Sequence, residues 1–243
     1  MVSARPFRRP KSAVTMAVCL VSLGCGASVP LTVASNEAMV YSVLAIDAPF
    51  QEYNGVPIVV ANTGDPRLAV VLKPAERIVV RRQRDRALLN VLPFTPPPGS
   101  RVGYNYALAE STTVQGLGWR DLRPGETYEL EVQTQGRSVT GRTTIPERPV
   151  LRVVYGTTID TVFWSRSSTA AAYESDYRSA SDTSMLVPRV SEPTAVYVTA
   201  VDQNYAAYAQ DHRLLRSGII GAFGLFGSST TASITITPPA PTR

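Results

Sequence analysis

Between residues 122 and 133 the chain reads LRPGETYELEVQ. Tyr128, Leu130 and Val132 alternate with Glu129, Glu131 and Gln133, the pattern of a strand with one dry and one wet face. Pro124-Gly125 ahead of it supplies a turn. On a helix of 3.6 residues per turn the same apolar side chains would scatter around the circumference, so no helix fits. Short runs rich in Val, Ile, Leu and Tyr recur at 41–46, 57–61, 68–72, 77–81 and 87–92. Turn-forming stretches bound them, such as Asn62-Thr63-Gly64-Asp65-Pro66 and Pro96-Pro97-Pro98-Gly99. With 19 Pro and 16 Gly among 243 residues, and only 18% charged residues, this pattern predicts an all-β chain of short antiparallel strands.

The first 24 residues are different in kind. Arg5, Arg8, Arg9 and Lys11 form a positive segment, residues 12–23 (SAVTMAVCLVSL) a short apolar one, and small residues follow. This is the layout of a secretory signal, too short for a membrane span of ~20 residues. The formal net charge of +5 is concentrated there, because no acid precedes Glu37. From Cys25 onward the 20 remaining basic residues face 19 acidic ones. Nucleic-acid binding therefore has no electrostatic support, and no nucleic-acid partner is expected.

The junction Val21-Ser22-Leu23-Gly24-Cys25-Gly26 resembles the lipobox of bacterial lipoproteins, with Ser22 where Leu is commonest. The resemblance implies that Cys25 becomes the first residue of the mature chain and carries the lipid, making the bilayer a partner. Several acyl chains would anchor stably, since each buried CH₂ contributes ~0.8 kcal/mol and one chain alone is marginal. The only other Cys is Cys19, inside the signal, so the exported chain has no disulfide framework. Residues 25–35 read as a lipidated tether.

Leu-x-Pro-Gly-x-x-Tyr followed by an alternating strand resembles the tyrosine corner of fibronectin type III and related immunoglobulin-like domains. There the Tyr, here Tyr128, packs on the core while its hydroxyl bonds back to the corner backbone. Gln135-Gly136 offers a hairpin turn and 138–145 a last strand stopped by Pro146. The expected organisation is a first β-sandwich over 36–147, a second over 148–238 and a Pro-rich tail at 239–243. In the second, Trp164, Tyr173 and the run 192–202 resemble strands of the same superfamily.

Between the last two strands, Asn204 is expected to cap a short helix over 205–216 that ends at Gly218. A segment with glycine at every third position, Gly218 to Gly227, follows it and reads as a loop. This ending resembles the tail of uncharacterised bacterial outer-membrane lipoproteins, some of them associated with TonB-dependent uptake. Five apolar side chains among four glycines make this the first candidate contact surface, with Phe223 and Phe226 as partner-contacting residues. Arg81, Arg82 and Arg84, in the densest basic cluster, are the second candidate.

His212 is the only histidine, so a metal site with several imidazoles is excluded, and neither HExxH nor Gly-x-Ser-x-Gly occurs. No catalytic residue, metal or cofactor is expected. The sequence reads as a noncatalytic binding or accessory module of the cell envelope, beside an outer-membrane protein. A surface adhesin is the alternative, and a hydrolase with an unrecognised site the third reading.

Overall fold

The computed structural model describes residues 37–47, 56–63, 71–95, 104–110, 116–175, 183–211 and 216–238. The expected signal segment at 1–24, Cys25 and the tether expected at 25–35, His212 and the Pro-rich tail lie outside the described residues. Seventeen strands and one α-helix occur among those residues, so the chain is all-β, as its alternation and turn content require. In chain order the strands are β1 (Glu37–Ile46), β2 (Val56–Thr63), β3 (Val71–Leu72), β4 (Arg77–Arg82), β5 (Leu88–Leu89), β6 (Val91–Pro93) and β7 (Tyr106–Leu108). There follow β8 (Thr127–Thr134), β9 (Arg137–Thr144), β10 (Leu151–Val154), β11 (Ile159–Trp164), β12 (Ala172–Ser175), β13 (Ser184–Pro188) and β14 (Thr194–Val201). Helix α1 (Gln203–Gln210) and strands β15 (Arg216–Ser217), β16 (Ile219–Ile220) and β17 (Phe223–Ile236) complete the list.

The strands form three sheets. A nine-stranded sheet runs β12-β14-β17-β1-β2-β7-β6, with β15 beside β17 and β3 beside β2. A five-stranded sheet runs β16-β9-β8-β4-β5, and a three-stranded sheet β10-β11-β13. The long strand β17 joins the two halves of the molecule. Its residues 223–230 pair in parallel with β1, and residues 229–236 pair antiparallel with β14. Phe226 enters a core with Val40, Leu44, Ile58, Tyr128 and Leu130, between the nine-stranded and five-stranded sheets. Ile236 enters a second core with Val162, Trp164, Met185 and Val198, under the three-stranded sheet. These two β17 residues share parity, so one face of one large sheet backs both smaller sheets. The division expected at 147/148 is thus crossed by β17 and by β16, which pairs with β9.

The alternation that opened the sequence argument appears directly: the odd residues of β8 are half-buried and the even ones, Tyr128 included, are buried. Arg123 N donates to the Tyr128 hydroxyl at 3.0 Å, the hydrogen bond of a tyrosine corner. Gln135 (φ 52°) and Gly136 (φ 69°) both adopt left-handed conformations, as a two-residue hairpin twisted like its strands requires. A similar contact recurs in the second half, where Ser167 N donates to the Tyr173 hydroxyl at 2.6 Å and the Tyr173 ring lies 5.7 Å from that of Trp164.

Two expectations for the C-terminal segment need correction. The helix starts at Gln203 and ends at Gln210, and its N-cap is Asp202, whose Oδ1 accepts from Tyr205 N at 2.9 Å. Asn204 is not the cap, because it already lies inside the helix after Gln203; its side-chain amide instead donates to Arg142 O (2.7 Å) and Phe226 O (2.9 Å). The glycine-rich stretch is β16 and the first half of β17, not a loop. Gly224 sits at φ +120°, and a Cβ there would lie 1.9 Å from Val40 O. The glycines let β17 approach its neighbours where no side chain fits.

Candidate functional site

Each candidate contact residue has a definite place. Phe226 is fully buried in the first core, which removes it from the exposed set and corrects its assignment as a partner contact. Phe223 is half-buried, with the Arg216 guanidinium 4.8 Å above its ring. Cys25 lies outside the described residues.

The basic cluster is an ion-pair ladder. In the register of β4 and β8, Arg81 stands opposite Glu129, and in that of β8 and β9, Glu129 stands opposite Arg142. Arg81 Nε lies 2.8 Å from Glu129 Oε2, Arg82 Nη2 2.6 Å from Asp85 Oδ2, Arg84 Nη1 2.9 Å from Glu126 Oε1 and Arg86 Nη1 3.0 Å from Glu129 Oε2. The Arg81 hydrogen bond holds the Glu129 carboxyl below the usual carboxylate range. The Arg82 hydrogen bond, with a second from Ala87 N, brings Asp85 down to about 2. Arg81, Arg82 and Arg84 therefore all answer carboxylates of this chain, Arg81 on the wet face of the five-stranded sheet, Arg82 at the end of β4 in register with the buried Tyr128 and Arg84 in the turn beyond, and an anionic partner would have to displace those carboxylates.

The three-stranded sheet presents a different surface. Its inner face buries Val162, Trp164, Met185 and Val187. In register, Val154, Thr161 and Leu186 form one outward row, and Arg152, Phe163 and Ser184 the next. Val154, Ile159, Phe163, Leu186 and the adjoining Val150 and Tyr155 are between 41% and 65% exposed. Six large side chains at about half exposure present on the order of 500 Å² of apolar surface, the size of the largest patch on a typical monomer. Among the described residues of its three strands, the one charge on that face is Arg152. Sequence reasoning missed this face, although a signal existed: β11 is apolar at Ile159 and Phe163 on one parity and at Val162 and Trp164 on the other.

Where β9 ends and α1 begins, a shallow polar dish of about 290 Å³ is bordered by Arg142, Thr143 and Thr144 on one side and Asp202, Gln203 and Asn204 on the other. Asp202 is 4% exposed. Its Oδ1 accepts from Ser228 N at 3.0 Å as well as from Tyr205 N, and its Oδ2 lies 2.5 Å from Thr143 Oγ1. Burial raises its pKa against the pull of these hydrogen bonds. With both oxygens engaged by the fold, Asp202 is closed to substrate. No group of three His, Cys, Asp or Glu suited to a metal occurs among the described residues, Asp202 included.

Helix α1 lies on the far face of the nine-stranded sheet, where the Tyr208 ring meets Tyr41 edge-on at 6.1 Å. Burial, aided by the nearby Glu174 carboxylate, pushes the Tyr205 hydroxyl up to about 12. These tyrosines are neutral packing groups at ordinary pH. No helix among the described residues is long and apolar enough to cross a membrane. No protein-family model and no curated protein matches the chain.

Proposed function

We propose that this protein is a lipid-anchored, noncatalytic binding module of the bacterial cell envelope, held to the bilayer through Cys25. The outward face of the three-stranded sheet is its docking surface. The observation that carries the reading is that face: apolar rows around Arg152, on a molecule whose five-stranded sheet instead shows the solvent a neutralised charge ladder. The chemistry that complements it is an apolar protein surface with a carboxylate opposite Arg152, and for a tethered module that partner is an outer-membrane protein. An immunoglobulin-like or fibronectin type III-like lineage agrees with the tyrosine corner at Tyr128.

Two measurements test this. Cys25→Ala is expected to abolish palmitate incorporation and release a folded protein from the membrane fraction; unchanged labelling refutes the anchor. A photo-crosslinking residue at Phe163, in cells of the source organism, is expected to give an adduct with one integral membrane protein. An adduct of twice the chain mass would assign the face to a second copy. Adducts confined to extracellular polymers would favour the adhesin reading.

A further inference from the structure

The buried contacts around Asp202 do not add up unless its carboxyl carries a proton. Asp202 Oδ2, Thr143 Oγ1, Ser228 Oγ and the Thr144 carbonyl oxygen form a chain with successive separations of 2.5, 2.8 and 2.9 Å. Three contacts of this kind need three protons. The two hydroxyls supply two, and a carbonyl supplies none. However the hydroxyls turn, an ionised Asp202 leaves one oxygen pair in contact with no proton between them. A neutral Asp202 completes the chain in a single direction: Oδ2 donates to Thr143, Thr143 donates to Ser228, and Ser228 donates to Thr144 O. Oδ1 is then the carbonyl oxygen of the acid and receives the backbone N–H groups of Tyr205 and Ser228; the Asn204 N–H is a further backbone donor to the carboxyl, and burial outweighs the downward pull of all three on its pKa.

The surroundings fit a neutral acid. No described cation pairs with Asp202. Of the side chains facing it, those of β9 are Thr143 and Arg142, whose guanidinium Nη2 turns away to Gln83 Oε1 at 2.9 Å. Helix α1 contributes Gln203 and Asn204, with Tyr205 reaching Asp202 only through its backbone N–H, β17 contributes Ser228, and the turn before β12 contributes Thr169. The network also occupies a strategic place. Ser228 and Thr230 of β17 hold the carbonyls of Thr144 and Pro146, the backbone that leads from the first core to the second. Asp202 in turn caps α1 and ends β14.

We propose that Asp202 is a neutral carboxylic acid in the folded protein, and that its proton locks β9, β17 and α1 together in a joint that loosens when Asp202 ionises. On ionisation Thr143 turns its only proton to Asp202, and Ser228 must choose between Thr143 and the Thr144 carbonyl. One link is lost. The Thr230 bond to Pro146 O remains, so the joint weakens without the chain coming apart. Because the acid is favoured in the folded state, the contribution to stability is whole below the ordinary Asp pKa of ~3.9 and falls as pH rises through the folded-state value. The proposal is independent of the docking face and of Cys25.

Asp202→Asn provides the comparison, since its Nδ2 can donate to Thr143 and its Oδ1 can accept from both N–H groups at every pH. Melting temperatures of the wild type and D202N, measured from about pH 4 to about pH 9, are expected to converge in acid and diverge toward alkaline pH. There the wild type should fall below D202N by roughly 3 °C or more. Thr143→Val, which removes the middle of the chain, is expected to shrink that gap. Carboxyl ¹³C spectra of wild type labelled at Asp give a reading that needs no variant to fold. One resonance should keep the shift of a protonated acid well above the ordinary Asp range. Melting curves that stay parallel, or Asp resonances that all titrate at or below that range, overturn the proposal.

Discussion

At the scale of single residues, the sharpest test of the fold is Tyr128. Its ring is buried in the first core and its hydroxyl accepts from Arg123 N. Tyr128→Phe removes that hydrogen bond and should cost about 1 kcal/mol; Tyr128→Ala also empties the ring's volume and should cost about 3–5 kcal/mol, both read from denaturant midpoints. Gly224→Ala should cost at least about 3 kcal/mol in the same assay, because the methyl group would meet Val40 O in a backbone conformation that L-residues avoid. Tyr128 was legible in the sequence because everything that defines it lies within six residues: a turn, an alternation and a Tyr. Asp202 was not. Thr143, Thr144 and Ser228 come from distant stretches of chain, and only folding brings them to it, so nothing local distinguishes this Asp from a turn residue or a calcium ligand.

At the scale of elements, strands with clean alternation were readable and those fixed by distant partners were not. The arginines at and just after β4 looked like an anion-binding cluster because two of the carboxylates that answer them, Glu129 on β8 and Glu126 just before it, lie more than forty residues later, while only Asp85 is near in sequence. Once paired, they form a wet face of modest energy. Arg81→Ala should cost less than about 1 kcal/mol and less still in high salt, because this ion pair, about a quarter exposed (28% and 24%), is still reached by screening ions; equilibrium unfolding at low and high ionic strength measures this. A larger, salt-independent loss would show that the ladder braces the sheet. The glycine repeat misled for a related reason. A period of three matches neither strand nor helix, and the need for close approach appears only when β1 and β9 stand beside β16 and β17.

At the scale of the whole molecule, two sandwiches in series imply two independent units, whereas the observed pairing ties both cores to one strand. A fragment of 36–147 would lack Phe226, Ile219 and Ala222, which belong to the first core, and would leave β1 without its parallel neighbour. The exposed edge would carry the backbone of Val40 and Leu44, whose side chains are buried in the whole chain. Composition and turn spacing could predict strands, but not that the last would run beside the first, because parallel pairing between chain ends leaves no local mark. The physical consequence is cooperativity: detaching β17 damages both cores at once, so neither should survive the other's unfolding. The chain from residue 25 onward is expected to melt in one transition with equal calorimetric and van't Hoff enthalpies, and the 36–147 fragment to show no cooperative melting. Two resolved transitions, or a fragment that melts sharply alone, would mean that β17 only bridges two units whose cores are each complete without it.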